Sequence, residues 1–227
     1  MTDEAGLGDP SWEEPAQVEE FAARATDHRL LELVTRFPDP STVQVLDLGC
    51  AGGRNTEFLV RAGFDVLAVD ASLAMVRHTR ARIAPILGQA EAERRVRVAR
   101  MDTLPFVESS SRQLVVALGI YFLARSAEEW SAALAESTRV LAPGGYCLVA
   151  NFGPGFGPID ALPERVGTSF VYRHESLGTI CLLEPEELDL AFQQCGLSPV
   201  VPTVAVEREA EGIRRVTVNA LYRRLPA

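Results

Sequence analysis

From Val43 to Asn151, short apolar, β-rich runs alternate with stretches of helical spacing, and nothing else in this 227-residue chain restricts its fold as much. Val43–Leu48, Phe64–Val69, Val96–Met101, Leu114–Leu118 and Tyr146–Asn151 read as strands; Asn55–Ala62 and Ser72–Ala84 read as helices. Ser126-Ala-Glu-Glu129 is a capping box opening a third helix, which carries Trp130, Leu134 and Leu141 inward and stops at Pro143-Gly144-Gly145. Near-continuous apolar strands separated by helices predict a parallel sheet covered on both faces. Pro185 opens a last helix ending at Cys195-Gly196, and Pro199–Val206 with Ile213–Tyr222, separated by Glu207–Glu211, predict a closing antiparallel hairpin.

Three segments flank or interrupt this pattern. Residues 1–14 are acidic and lack apolar periodicity, which predicts a mobile tail. Residues 15–40 hold a leading helical cap, with Val18, Phe21, Ala25, Leu30 and Leu33 near helical spacing and Pro38 and Pro40 ending it. The main domain is then 41–227. Within it, 153–182 is Gly/Pro-rich without clear periodicity and reads as a lid over an acceptor site.

In such sheets ligands sit at the carboxyl ends of the strands. The first strand ends in Val45-Leu-Asp-Leu-Gly-Cys-Ala-Gly-Gly-Arg54, a Gly-rich turn opening a helix. Dinucleotide enzymes use a related turn, so the glycines alone do not discriminate. Asp47 does: a pyrophosphate docked on the helix amides would face its carboxylate, whereas a ligand bearing an ammonium and a sulfonium would be favoured there. That contrast favours S-adenosylmethionine over NAD. Asp70, ending the second strand, can accept both hydroxyls of a ribose diol; its alternative reading is a helix N-terminal acid. Asp102 suits an adenine amino group, flanked by Met101 and Thr103, or else makes a local Asx turn. Leu118 and Gly119 lie where the fourth strand opens toward the methyl-donor end.

Composition excludes much else. The net charge is −9 and every one of the 22 basic residues is Arg, which argues against nucleic acid as a partner and removes lysine-dependent phosphate and Schiff-base chemistry. Cys50, Cys147, Cys181 and Cys195 have no Cys-x-x-Cys spacing, so reduced thiols, no metal set and a cytoplasmic setting are expected. The acidic start lacks a secretory signal, and the longest apolar run, Leu114–Ala124, is too short to span a membrane.

VLDLGCAGGRNT, VLAVDAS, RMDTLPF, LVVALGIYFL and RVLAPGGYCLVANF resemble the successive motifs of class I S-adenosylmethionine-dependent methyltransferases, and Gly-Arg-Asn-Thr with Ile-Tyr-Phe-Leu resembles the tellurite-resistance and thiopurine branch. The resemblance implies an α/β, Rossmann-like fold, with a seven-stranded, mostly parallel sheet and an antiparallel C-terminal hairpin. It also implies cofactor contacts at Asp47, Gly49, Cys50, Gly53, Asp70, Ala71, Met101, Asp102, Thr103 and Leu118, and release of S-adenosylhomocysteine. Ala51 replaces the usual second glycine, a tolerable change if its φ stays negative. The expected reaction is direct displacement onto a small-molecule acceptor, oxygen or nitrogen, as in secondary metabolism. Tyr121 or Phe122 would face the sulfonium, and among His28, His78 and His174 the last is the candidate base. A non-catalytic S-adenosylmethionine-binding scaffold and, more remotely, an NAD(P)-dependent oxidoreductase are the alternatives.

Overall fold

The computed structural model describes residues 6–226. The chain divides into two compact units. The first comprises residues through Phe106 together with Ser111–Val116; the second comprises Val107–Ser110 and the chain from Ala117 onward.

In the first unit, helices α1 (Pro15–Ala23) and α2 (His28–Leu33) precede β1 (Gln44–Leu48), α3 (Arg54–Arg61), β2 (Asp65–Asp70), α4 (Leu73–Leu87), α5 (Gln89–Arg95) and β3 (Val96–Val98). β4 (Arg112–Leu118) runs from this unit into the second. The unit's strands are parallel in the order β4-β1-β2-β3, with Leu46 opposite both Leu67 and Val115. Val45, Leu46 and Leu48 of β1 are buried with Leu59 of α3 and Val76 and Ile83 of α4. Each such side chain contributes about 1.5–3 kcal/mol of transfer free energy. This layer fixes where the strand ends lie.

The second unit carries α6 (Ala127–Val140), β5 (Leu141–Phe152), β6 (Gly157–Pro158), β7 (Glu164–Arg165), β8 (Val171–His174), β9 (Gly178–Cys181), α7 (Pro185–Gln194), β10 (Leu197–Pro199), β11 (Val204–Ala210) and β12 (Ile213–Arg224). β12 pairs antiparallel with β5, β10, β11 and β6, while β7-β8-β9 form a separate antiparallel sheet. Ser126 accepts from the Glu129 amide as expected, and Glu129 reaches back to the amide of Arg125.

Three expectations need correction. The leading helix is broken at residues 24–27, because the Thr26 hydroxyl donates to Arg54 O and the Asp27 amide to Asn55 Oδ1, leaving Asp27 to cap α2. The acidic segment is not loose where it is described. Leu7 and Gly8 amides donate to Ala71 O, and Glu13 accepts from the Leu73 and Ala74 amides; residues 1–5 lie outside the described residues. The hairpin loop is shorter than expected: β11 continues to Ala210, and Glu211 and Gly212 alone turn the chain, both at positive φ. Segment 153–182, read above as a lid without clear periodicity, contains ordered strands, with Tyr172, Ile180 and Leu182 buried against Phe122 and Phe152.

Candidate functional site

The turn after β1 is held from below by the second strand. Gly49, at φ 74°, and Cys50 both donate their amides to Val69 O, at 2.9 and 3.0 Å. The next amide, Ala51, donates to Asp70 Oδ2 at 2.9 Å, while the other oxygen of Asp70 accepts from Ser72. Two strand ends are thus tied through one carboxylate. β3 joins them, since the Ala99 amide donates to Asp70 O at 2.9 Å, and Met101-Asp102-Thr103 follows directly.

Ala51 sits at φ 47°, so the condition of a negative φ, on which the loss of the second glycine would be free of strain, is not met. Its amide on Asp70 and its carbonyl, which accepts from the Thr79 hydroxyl at 2.7 Å, hold it in the left-handed region. Gly52 must be Gly because a Cβ there would lie 2.6 Å from the Ala22 backbone of α1. Gly53, at φ 77°, caps α3 and passes as close to Thr79.

The carboxylates differ in environment. Asp47 is 2% exposed and accepts one hydrogen bond, from Thr56 Oγ1 at 2.6 Å. Burial lifts its pKa to about 6, with Thr56 and Arg54 opposing and Asp70 adding to the rise. Asp70 keeps a partly exposed edge, yet withdrawal from water raises it, the Ser72 and Ala51 amides oppose, and Glu13 adds repulsion. Asp102 is gripped by Arg100 in a two-pronged ion pair at 3.0 and 3.1 Å, and Thr103 beside it is exposed. Met101 is buried. The Cys50 thiol is buried 3.8 Å from Thr79 Oγ1 and lies well above the usual thiol range, chiefly through burial, so it is unreactive.

Asp47, Gly49, Cys50, Gly53, Asp70, Ala71 and the Met101–Thr103 run therefore all lie in the first unit, on the ends of β1, β2 and β3 or the turns beyond them. Leu118, Tyr121 and His174 lie in the second, where Leu118 ends β4 and keeps an exposed edge. Tyr121 does not face a ligand. It is fully buried, donates to Ser137 Oγ at 2.7 Å and packs on Trp130 and Phe192. His174 is no general base either. Its Nδ1 accepts from the Ser176 and Leu177 amides, both at 3.2 Å, so the proton stays on Nε2. Burial lowers its pKa, which keeps the ring neutral; it stacks beside Phe156 and can only donate.

Two residues with a part in this site were missed. Glu13 reaches the α4 N-terminus from 60 residues away, a contact no local pattern signals. Arg54, directly after the double glycine, was visible within the motif but given no role; its Nε is buried without a hydrogen-bond partner.

The family model described as a methyltransferase domain matches residues 45–145. A demethylmenaquinone methyltransferase of Renibacterium salmoninarum is 36% identical over 119 residues, which is 51% of this chain and 44% of that protein. The chain thus spans less than half the length of that curated relative. Among solved structures, a SAM-dependent methyltransferase of Methanosarcina mazei aligns with TM-score 0.67 at 18% identity, covering 86% of this chain and 98% of that one. The 1,6-didemethyltoxoflavin-N1-methyltransferase of Burkholderia thailandensis, with bound 1,6-didemethyltoxoflavin and S-adenosylhomocysteine, aligns with TM-score 0.63 at 19% identity, covering 98% and 93%. Motif order, strand-end chemistry and the family match agree: residues 45–145 are similar to a methyltransferase domain, and the fold is that of the S-adenosylmethionine-dependent methyltransferases it aligns with.

Proposed function

We propose that the chain binds S-adenosylmethionine at the ends of β1–β3 and directs its methyl group onto oxygen or nitrogen of a small-molecule acceptor. The observation that carries this reading is the placement of two carboxylates, the buried Asp47 and the partly exposed Asp70, around one Gly-rich turn, with Asp70 accepting from the Ala51 amide. Such a floor repels a pyrophosphate and attracts a cation, which disfavours a dinucleotide. The donor set also fits the rest of an adenosyl ligand: Asp70 retains lone pairs for a ribose diol, and Asp102 for an adenine amino group.

When bound, S-adenosylmethionine supplies a methyl group already activated on sulfur. The protein's part is alignment, which can be worth about 7–11 kcal/mol. Asp70, fixed by the Ser72 and Ala51 amides, holds its oxygens at constant position for the ribose. Asp47, fixed by Thr56, offers a negative charge to the ammonium. With His174 a donor only, the acceptor must lose its proton to another group or to water, or bind as its anion. We assign 153–182 to the acceptor side because Phe122, Phe152, Phe156 and Tyr172 gather there.

Calorimetric titration tests the reading: S-adenosylhomocysteine binds and NAD does not. Methyl transfer is then assayed on demethylmenaquinone, 1,6-didemethyltoxoflavin and a panel of small hydroxyl and amine acceptors. Donor binding without methyl consumption on any acceptor would return the chain to a scaffold role.

A further inference from the structure

The β11–β12 hairpin of the second unit has two unlike faces. On one, Arg214 takes both carboxylates of β11, Glu207 at 3.0 Å and Glu209 at 2.8 Å, and Val216 and Val218 are buried beside it. On the other, Arg208 stands directly opposite Arg215 in the strand register, and both are exposed. Side chains so opposed have Cβ atoms about 4.5–5.5 Å apart, and like charges there repel. Strand alternation keeps Glu207 and Glu209 off this face, and β12 contains no carboxylate at all. Two cations are therefore brought together on a side where neither strand supplies an anion.

The same face runs into the aromatic cluster. Thr217, two residues from Arg215, pairs with Phe152 at the end of β5, so Phe152 projects on the arginine side. The Arg215 guanidinium lies over the Phe152 ring, 5.1 Å from its centroid. Phe156 stacks on Phe152 at 4.1 Å with 3° between the rings, and Phe122 meets Phe152 edge-on at 4.4 Å. Phe122 and Phe152 are buried, while Phe156 keeps an exposed edge. An apolar ring packed on that edge answers only half of the surface. A neutral ligand leaves the arginine pair unrelieved, and a polyanion such as nucleic acid is disfavoured by the net charge of −9. A small ligand that is both aromatic and anionic satisfies both parts.

We propose that Arg215, with Arg208 beside it, determines acceptor specificity: it selects aromatic acceptors bearing an ionised acid group, whose ring packs on the Phe122–Phe152–Phe156 cluster while the acid meets the two guanidinium groups. This rests on the assignment of 153–182 to the acceptor side and names the acceptor's chemical class.

The test titrates the full chain with two fluorescent probes, 1-anilinonaphthalene-8-sulfonate and N-phenyl-1-naphthylamine, the same rings without the sulfonate. Wild type should bind the anion about 10-fold more tightly, as for a charge-assisted contact. Arg215→Gln should bring the ratio within about 3-fold while keeping the affinity for the neutral probe, and Arg215→Lys should lie between them. Phe156→Ala should weaken both probes alike. Equal wild-type affinities for the two probes, an anion preference retained in Arg208→Gln/Arg215→Gln, or binding indifferent to Phe156→Ala each overturns the proposal. Calorimetry with S-adenosylhomocysteine separates it from the reading on which it rests. Arg215→Gln should bind that ligand as wild type does; a wild-type chain that prefers the anionic probe yet binds no S-adenosylhomocysteine overturns the methyltransferase reading, and with it the name of acceptor for the anion.

Discussion

Asp47 illustrates how binding chemistry is held in reserve at the expense of stability. Its carboxyl rises from an ordinary value near 3.8 to about 6, chiefly through burial. The folded state therefore holds more protons than the unfolded chain between those values, and stability falls as pH rises through that window. The penalty is absent below about pH 4 and complete above about 6, and a shift of that size corresponds to about 3 kcal/mol. Asp47→Asn should therefore be more stable than wild type by about 1–3 kcal/mol at pH 7.5, with the gap closing at pH 4. Urea denaturation at both pH values measures it; a variant less stable at pH 7.5 contradicts it. The same variant should lose S-adenosylhomocysteine affinity, and wild-type affinity should fall as pH drops below about 6. Ala51 holds a second such cost: Ala51→Gly should stabilise by up to about 1 kcal/mol, because relief of left-handed strain outweighs the added chain entropy. An unchanged denaturation midpoint would show that Asp70 and Thr79 already compensate. The places of Asp47, Asp70 and Asp102 at or just beyond strand ends were legible because the apolar runs before them mark where each strand stops. The φ of Ala51 and the isolation of Arg54 were not, since both depend on partners distant in sequence.

Among elements, β1, β2, α3 and α4 follow from their apolar spacing and caps to within a residue or a few. The leading helix does not, because its break is set by Arg54 and Asn55 rather than by its own sequence. The described part of the acidic segment escaped for a related reason. Glu13 supplies α4 with two acceptors at 2.9 Å, beyond the cap that Ser72 provides to Met75. A carboxylate at a helix N-terminus that also accepts two amides is worth about 1–2 kcal/mol. Glu13→Ala should cost that much in chemical denaturation, whereas Glu14→Ala, exposed beside it, should stay within about 0.5 kcal/mol. Equal effects would mean that the segment contributes only diffuse charge. In 153–182, Gly and Pro obscured the alternation of Val171–His174 and Gly178–Cys181, although Gly178 at φ 70° marks their turn. The Nδ1 of His174 secures that turn, which is why a residue with catalytic credentials in sequence proves to be a structural cap.

At the scale of the whole chain, the division of labour predicts where a ligand registers. Every carboxylate assigned to the donor lies in the first unit, and the aromatic cluster assigned to the acceptor lies in the second. A ligand that binds only the folded state stabilises it by about 2.7 kcal/mol at a hundredfold excess over its dissociation constant, or about a hundredfold in the population of open forms. S-adenosylhomocysteine should therefore slow hydrogen exchange most at the Gly-rich turn and α3, residues 49–58, and at 70–76 after β2. These amides carry the site, and local opening there requires ligand release. An acceptor added to that complex should extend protection to 153–182. Protection spread evenly over both units with the donor alone would mean that the ligand acts only through global stability. Protection by the acceptor that spared 153–182 would remove that segment from the acceptor side, while leaving the donor assignment on β1–β3 intact.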